Sequence, residues 1–291
     1  MQEKYLICTD LDRTLIPNGA ASESPDAERL FAALAARADV TLAYVSGRHR
    51  ALVEDAMTEY RLPLPAFVVG DVGTTLYRVE SEQDWHCDES WEQSIAGDWC
   101  GLGHEDLSAL LAKLPGLTLQ EPFKQNRFKL SYYVDGGAAT TALQDTVAKR
   151  LKGAGVRARL VSSRDDISGQ GLLDVLPLRA SKRHAIEALM AIDGFKPGQT
   201  VFCGDSGNDL EVLASPIPAV LVANARPEIK QQAALLAAQA GCTRQLYIAR
   251  GGFLAMNGNY RGGMLEGIAH YHPPIGEWLE RQAACIPGAM A

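Results

Sequence analysis

Tyr5-Leu6-Ile7-Cys8-Thr9-Asp10-Leu11-Asp12-Arg13-Thr14-Leu15 opens as a short apolar run of strand length and stops in carboxylates on either side of a leucine. Two aspartates at i and i+2 at the mouth of a strand point to the same side, roughly 6–7 Å apart at Cα. A buried strand has no packing reason to end on two like charges, which repel unless something positive sits between them. The plain alternative is a pair of solvated turn aspartates. The rest of the chain decides between the two.

The pattern after this stretch is strand, helix, strand, helix, strand. Ser24-Pro25 reads as a helix start, Ser as N-cap and Pro at the first helical position. Leu30, Phe31, Leu34, Ala35 and Ala38 follow at helical spacing. Val40 to Val45 is a second strand stopped by Ser46-Gly47-Arg48, and a helix covers about Arg50 to Tyr60. Ala66 to Val69 is a third strand, leading through Gly70-Asp71-Val72-Gly73 to Leu76-Tyr77-Arg78-Val79. Such alternation predicts a parallel sheet with crossover helices.

The character changes near residue 80. Three of the four tryptophans, Trp85, Trp91 and Trp99, fall among acids, and Phe128 to Asp135 and Val156 to Val161 alternate like antiparallel strands with one polar face. Residues 80–173 are therefore expected to form an inserted α+β domain. The parallel core is expected to occupy 1–79 and 174–291, resuming at Leu173-Asp174-Val175-Leu176-Pro177. It continues through a helix opened by Ser181-Lys182, a strand Thr200 to Cys203 and a strand Ala219 to Ala223. A helix near 228–240, a strand at 245–249 and a final helix 263–271 complete it.

The balance of 28 Lys+Arg against 35 Asp+Glu gives −7, with no basic stripe among aromatics, so nucleic acid is not an expected partner. No apolar run approaches the ~18 residues needed to span a bilayer, and the first residues lack a charged-then-apolar signal pattern. Six scattered cysteines without C-x-x-C spacing suit reduced thiols. The expected location is the cytoplasm.

In an open parallel sheet, ligands bind beyond the carboxyl ends of the strands. Here those ends carry Asp10/Asp12, Ser46, Gly204-Asp205-Ser206-Gly207-Asn208-Asp209 and Asn224, with Lys182 opening a helix. Facing aspartates demand a cation, and an all-oxygen set selects a hard one such as Mg²⁺. Ser46, Lys182 and the backbone N–H groups around Leu11 and Gly47 suit a phosphate.

Asp10-Leu11-Asp12-Arg13-Thr14, Ser46-Gly47-Arg48, Lys182 and Gly204 to Asp209 resemble, in order and wording, the four blocks of the haloacid dehalogenase (HAD) superfamily of phosphatases. The resemblance implies a Rossmann-like core with an inserted cap and an aspartyl-phosphate mechanism. Asp10 would be the nucleophile and Asp12 the general acid and base, with Ser46, Lys182 and the Leu11 and Gly47 amides holding the phosphoryl group. Asp10, Asp205 and the Asp12 carbonyl would bind Mg²⁺, with Asp209 and Asn208 in or next to that shell.

Val72-Gly73-Thr74, Phe128 to Asp135, Leu173 to Pro177, Asn224-Ala225 and Gly263 to Tyr271 resemble the sucrose-phosphatase branch more closely. That branch implies sucrose 6F-phosphate as substrate, bound through the cap. Lys129, Ser131, Tyr133 and Asp135, on alternate positions, would present donors and acceptors to sugar hydroxyls, which must be paired on burial; the alternative is a merely solvated strand face. Gln170 is a further candidate at the expected cap-to-core hinge, and the tryptophans are read as packing ahead of sugar stacking.

Arg13 stands where that branch commonly has Asn, and Arg48-His49 where Arg-Ser is usual. A related phosphorylated disaccharide such as mannosylfructose phosphate is the alternative substrate. A non-catalytic sugar-phosphate sensor and a receiver-type phosphoryl carrier are the other classes weighed. Both acids of the first block are present, against the sensor. The chain is roughly twice a receiver's size and has a cap, against the carrier. A monomer is expected, with a sugar-phosphate synthase as the partner to look for.

Overall fold

The computed structural model describes residues 4–136, 139–164 and 169–285. Strand β1 (Tyr5–Thr9) is buried along its whole length, with Leu6 and Cys8 facing one apolar cluster and Tyr5 and Ile7 the other. A strand covered on both faces belongs at the centre of an α/β sheet, and β1 sits there.

The chain continues through α1 (Ala27–Ala35), β2 (Val40–Val45), α2 (Arg50–Glu59), β3 (Phe67–Gly70), β4 (Thr75–Ser81) and β5 (Asp84–Cys87). The insertion holds α3 (Glu89–Ala96), α4 (His104–Leu111), β6 (Leu117–Leu119), β7 (Leu130–Val134), α5 (Thr141–Gly153), β8 (Ala158–Arg164) and β9 (Gly171–Pro177). The core resumes with α6 (Lys182–Asp193), β10 (Thr200–Gly204), α7 (Leu210–Leu213), β11 (Ala219–Leu221), α8 (Pro227–Gln239), β12 (Leu246–Ile248), α9 (Tyr260–Tyr271) and α10 (Pro273–Ala284).

The core sheet runs β12-β11-β10-β1-β2-β3-β4-β5. Its first six members are parallel, and β4 and β5 are antiparallel additions at one edge. The chain leaves β1 toward β2 and later returns to its other side as β10. The crevice between the ends of β1 and β10 is thus a topological switch point, where such sheets bind ligands. Helices α1, α2, α9 and α10 cover one face. Helices α6, α7 and α8 cover the other in an apolar cluster continuous with the cap interior, including Trp91, Trp99, Leu130 and Leu173.

The cap sheet, β6-β7-β9-β8, is antiparallel throughout. This corrects two expected boundaries. Strand β5, which contains Trp85, belongs to the core sheet, so the insertion starts near residue 88 rather than 80. Leu173 to Pro177 lies in β9, paired on both sides within the cap, so the return to the core falls at 178–181. The dense apolar run there reflects a central strand of the cap sheet rather than a parallel core strand, and Gln170 accordingly precedes a cap strand instead of sitting at the hinge.

Two smaller expectations also fail. Helix α1 starts two residues later than expected, with Asp26 at the N-cap position, and the Ser24 hydroxyl accepts from the Asn257 N–H (3.0 Å) instead of capping it. Helix α10 was not expected, although Pro273 at its first position and Ile275 and Leu279 on its buried face are its signals. The three tryptophans are packing residues, Trp85, Trp91 and Trp99 all being buried. Among the described residues no helix is long and apolar enough to cross a membrane.

Candidate active site

Three strand ends and one helix start converge at the switch point. Asp10 follows β1, and its N–H donates to the Cys203 carbonyl at 2.9 Å, continuing the β1–β10 ladder into the crevice. Asp205 follows β10, Ser46 follows β2, and Lys182 opens α6 behind its N-cap, Ser181. Lys182 is 2% exposed and lies 3.0 Å from Asp10 Oδ2, 2.7 Å from Asp209 Oδ1 and 3.1 Å from Asn208 Oδ1. A buried ammonium is tolerated only when paired. Burial alone would push the Lys182 pKa down; the charges of Asp10 and Asp209 outweigh that and hold it above the ordinary lysine range.

The carboxylates are frustrated in the opposite sense. Burial pushes the Asp10 pKa up; Lys182 pulls it back, while the charges of Asp209 and Asp205 raise it further. Asp205 is pushed up to about 6, by burial first and then by Asp209, against Arg13 and Lys182. Oxygen atoms of Asp10, Asp205 and Asp209 all lie within 4.8 Å of one another. Three acids faced by Lys182 and, at Asp205, by Arg13 are still short of positive charge, which fits a divalent cation, and a donor set of oxygens alone fits a hard one.

The three acids are not equivalent. Asp209 Oδ1 accepts from Lys182, and Oδ2 accepts from the N–H groups of Asp205 (3.0 Å) and Ser206 (2.9 Å) and from the Ser206 hydroxyl (3.2 Å). Both oxygens are committed to folding the 204–209 loop and aiming Lys182. The packing is tight, since a Cβ on Gly204 would lie 2.6 Å from the Asp209 carboxyl. Asp10 Oδ1 accepts the Leu11 N–H at 2.8 Å. Asp205 takes the Thr14 hydroxyl at 3.4 Å on one oxygen and Arg13 Nε at 3.2 Å on the other.

The Asp12 carboxylate stands outside this cluster. Arg48 grips it with two hydrogen bonds, Nε to Oδ2 at 2.9 Å and a terminal nitrogen to Oδ1 at 2.7 Å, and Asn18 adds a third at 2.8 Å. Burial alone would raise the Asp12 pKa, but Arg48 and Asn18 outweigh it and hold the carboxyl below its ordinary value. Ser46 is buried, its Oγ accepting the Arg48 N–H at 3.2 Å, and Gly47 faces the cavity.

That cavity, of about 1290 Å³, separates the strand ends from the cap. Lys129, Ser131, Tyr133 and Gln170 line it, together with Lys182, Gly47 and Asn208. Asp135 does not: β7 ends at Val134, the alternation stops with it, and the exposed Asp135 turns away with its N–H on the Gly116 carbonyl at 3.1 Å. The other cap candidates are tied into networks. Ser131 Oγ donates to Asp174 at 2.6 Å, and Lys129 pairs with Asp71 of the core at 3.3 Å. Lys124 Nζ donates to the Tyr133 hydroxyl at 2.7 Å, and that hydroxyl reaches Glu121 at 2.9 Å. Gln170 Nε2 donates to the Val134 carbonyl at 2.7 Å.

Several lining residues had no signal in the sequence reading. Asp174 hid inside an apolar run, Arg159 reaches the cavity from β8, and Gln120, Phe123 and Lys124 belong to the irregular connection between β6 and β7. Only the hydrophobic run around Asp174, interrupted by a single acid, could have flagged it.

A Rossmann-like sheet with a lysine-paired aspartate at its switch point, a second acid two residues on and an inserted cap above defines a phosphatase of the haloacid dehalogenase type. More narrowly, the chain belongs to the sucrose-6F-phosphate phosphohydrolase family, whose sequence model matches residues 3–272. It is 49% identical over 280 residues to a HAD-like hydrolase of Nitrosococcus oceani, covering 96% of this chain and 75% of that protein. Sucrose-phosphatase 1 of Nicotiana tabacum is 30% identical, covering 78% of this chain and 52% of its own length. The chain therefore spans about half the length of that plant relative. A mannosylfructose-phosphate phosphatase of Agrobacterium fabrum is 29% identical over 79% of this chain and 87% of its own. The sucrose-phosphatase of Synechocystis sp. PCC6803, solved with sucrose and phosphate, is 27% identical with a TM-score of 0.72, covering 93% of this chain and 98% of that one.

Proposed function

We propose that this protein is a Mg²⁺-dependent phosphatase that hydrolyses sucrose 6F-phosphate to sucrose and phosphate through an aspartyl-phosphate. The carrying observation is the convergence of Asp10, Lys182 and Asp205 beneath a cavity large enough for a disaccharide phosphate and roofed by polar cap residues. Asp10 attacks phosphorus in line and takes the phosphoryl group, breaking the bond to the sugar oxygen. Asp12 gives that oxygen a proton, then takes one from the water that cleaves the aspartyl-phosphate. Arg48 and Asn18 hold the Asp12 carboxyl ionised, so acid duty requires Arg48 to release one of its oxygens and that oxygen to take up a proton from solvent before passing it to the sugar oxygen. Lys182, Ser46, Asn208 and the Leu11 and Gly47 amides hold the equatorial oxygens.

Asp10, Asp205 and the Asp12 carbonyl would hold the Mg²⁺, with Asp209 acting beside them through Lys182 and its own loop. The bound ion would neutralise charge on the nucleophile and on the phosphoryl oxygens. Residues of the β6–β9 sheet face the sugar. A monomer is the proposed working unit, and the cytoplasm the proposed location. Mannosylfructose phosphate is the second substrate to test, on the strength of the Agrobacterium relative.

A phosphate-release panel with Mg²⁺ tests the reading. Sucrose 6F-phosphate should be turned over far better than glucose 6-phosphate or fructose 6-phosphate. Preference for mannosylfructose phosphate would reassign the sugar, and equal turnover of the monosaccharides would refute the role given to the cap.

A further inference from the structure

The irregular connection between β6 and β7 carries an aromatic ring that nothing in the fold buries. Phe123 is 67% exposed, the most exposed large apolar side chain among the described residues. It sits in the middle of a short 3₁₀ turn, Pro122–Lys124. There the Lys124 N–H donates to the Glu121 carbonyl at 2.9 Å and the Gln125 N–H to the Pro122 carbonyl at 3.1 Å. Gln125 ties the turn to β7: its Nε2 donates to the carbonyls of Gln120 (3.0 Å) and Ser131 (2.9 Å), and its Oε1 accepts the Ser131 N–H at 2.8 Å. The backbone beneath Phe123 is therefore braced, and the ring lines the roof of the cavity whose floor holds Gly47 and Lys182. Lys124 Nζ lies 5.7 Å from the centroid of the Phe123 ring and 5.1 Å from that of Tyr133. An apolar face held out in water beside an ammonium and a phenol is unfavourable as it stands, and burial against an apolar surface recovers the loss.

We propose that Phe123 is the platform on which the sugar ring remote from the phosphate stacks, and that it selects an α-glucosyl over an α-mannosyl ring there. The inference rests on the phosphatase reading above and adds a criterion for the sugar. A pyranose is amphipathic, with hydroxyls around its edge and C–H bonds on its faces. Polarised C–H groups suit the negative face of an aromatic ring. The edge hydroxyls need hydrogen-bonding groups of the kind that Lys124 and Tyr133 bring to the same wall. Ligand sites combine an apolar wall with a few polar groups in this way. In an α-glucosyl ring the one axial oxygen is the glycosidic one, so the opposite face offers C–H bonds alone. Its C2 epimer, the α-mannosyl ring, has an axial oxygen on each face, and either would hold the sugar off the phenyl plane. Because the phosphate is bound at the floor, the ring that meets Phe123 on the roof is the one that carries no phosphate.

The test is phosphate release by the wild type, Phe123→Ala, Phe123→Leu and Phe123→Trp. The substrates are sucrose 6F-phosphate, mannosylfructose phosphate and fructose 6-phosphate, the last of which lacks the remote ring. The exposure of Phe123 leaves each variant free to fold, and thermal unfolding checks it. Phe123→Ala should raise KM for sucrose 6F-phosphate about tenfold with kcat little changed. The preference for the glucosyl over the mannosyl substrate should shrink with it. On fructose 6-phosphate, kcat/KM should stay within about twofold of wild type. Phe123→Trp should keep the glucosyl preference, and Phe123→Leu, apolar but without a π face, should lose part of it. A second readout is independent of turnover: sucrose titrated into Phe123→Trp with orthophosphate present should produce a saturable blue shift in tryptophan emission that the wild type lacks. An unchanged glucosyl preference in Phe123→Ala, an equal loss on fructose 6-phosphate, or no sucrose-dependent shift in Phe123→Trp overturns the stacking. Release from none of the three esters by the wild type would sink the phosphatase reading and the inference with it, whereas turnover of sucrose 6F-phosphate that ignores Phe123 refutes the stacking alone.

Discussion

Asp10 and Asp205 are held in an environment that opposes their own charge, and this carries a pH signature. An acid whose pKa is raised on folding binds its proton more tightly folded than unfolded. Its contribution to stability is full below the unfolded value, about 3.9, and is lost as pH climbs through the folded one. With Asp205 near 6 and Asp10 also raised, the chelator-treated protein should lose thermal stability between about pH 4 and pH 7. Asp12 shifts the other way, so its contribution is present above about pH 4 and does not offset this fall. Added Mg²⁺ should raise Tm more at pH 7.5 than at pH 5, and Asp10→Asn should flatten the metal-free profile while abolishing turnover. A metal-free Tm that rises across that window would contradict the assigned burial. Asp12→Asn should slow turnover by ~10²–10⁴ with the fold intact, measured by steady-state phosphate release. The acids and Lys182 were legible because a charge at the end of an apolar strand has no packing explanation. Arg48 as the partner of Asp12, and Arg13 as the partner of Asp205, were not. Each pairing is made by loops that only the folded crevice brings together.

The turn after β3 does at the scale of an element what Asp209 does at the scale of a residue. Asp71, Val72 and Gly73 all have left-handed backbone, φ 51°, 61° and 97°. The turn is held from the cap, where the Trp91 indole N–H donates to the Gly73 carbonyl at 3.2 Å and Lys129 pairs with Asp71. Its other side presses on the start of α6: a Cβ on Gly73 would lie 2.6–2.9 Å from the backbone of Ser181, the residue before Lys182. Gly73→Ala should therefore act on the site as well as on the fold. The left-handed penalty alone is about 1–2 kcal/mol, and the clash adds to it. Urea unfolding should show that loss, and kcat should fall beyond it as α6 and Lys182 are displaced. Loss of stability with kcat unchanged would mean that the turn does not position the lysine. The parallel elements were legible because buried strands and amphipathic helices carry their own periodicity. The β9 assignment failed because a central antiparallel strand, covered by the cap on one side and the cavity wall on the other, reads like a parallel one. The element pattern could not reveal which sheet it joins.

Across the whole molecule, the proposed chemistry and the proposed recognition fall on different sheets joined by a few polar ties. The residues assigned to the phosphoryl group lie at the ends of β1, β2 and β10 and the start of α6, while β7, β9 and the 120–124 connection supply the cavity roof. Cap and core meet through Lys129–Asp71, through Asn126 Nδ2 on the Thr74 hydroxyl at 2.8 Å and through Arg159–Glu211 at 2.6 Å. The return chain is fixed by the buried carboxylate of Asp98, which accepts the Arg179 N–H at 2.8 Å and pairs with Arg157 and Arg179. A substrate that fills only the phosphate end should be insensitive to the roof, and one that fills the cavity should not. Lys124→Ala and Tyr133→Phe remove members of the partly exposed Lys124–Tyr133–Glu121 network without unpairing a buried charge. Each should raise KM for the disaccharide phosphate by roughly tenfold, the usual share of one or two lost hydrogen bonds, with kcat little changed because uniform binding is what is lost. With p-nitrophenyl phosphate, which has no sugar to recognise, kcat/KM should stay within about threefold of wild type. Equal losses on both substrates would place these side chains in the shared phosphoryl machinery or in the cap's stability, and would undo the division of labour between the two sheets.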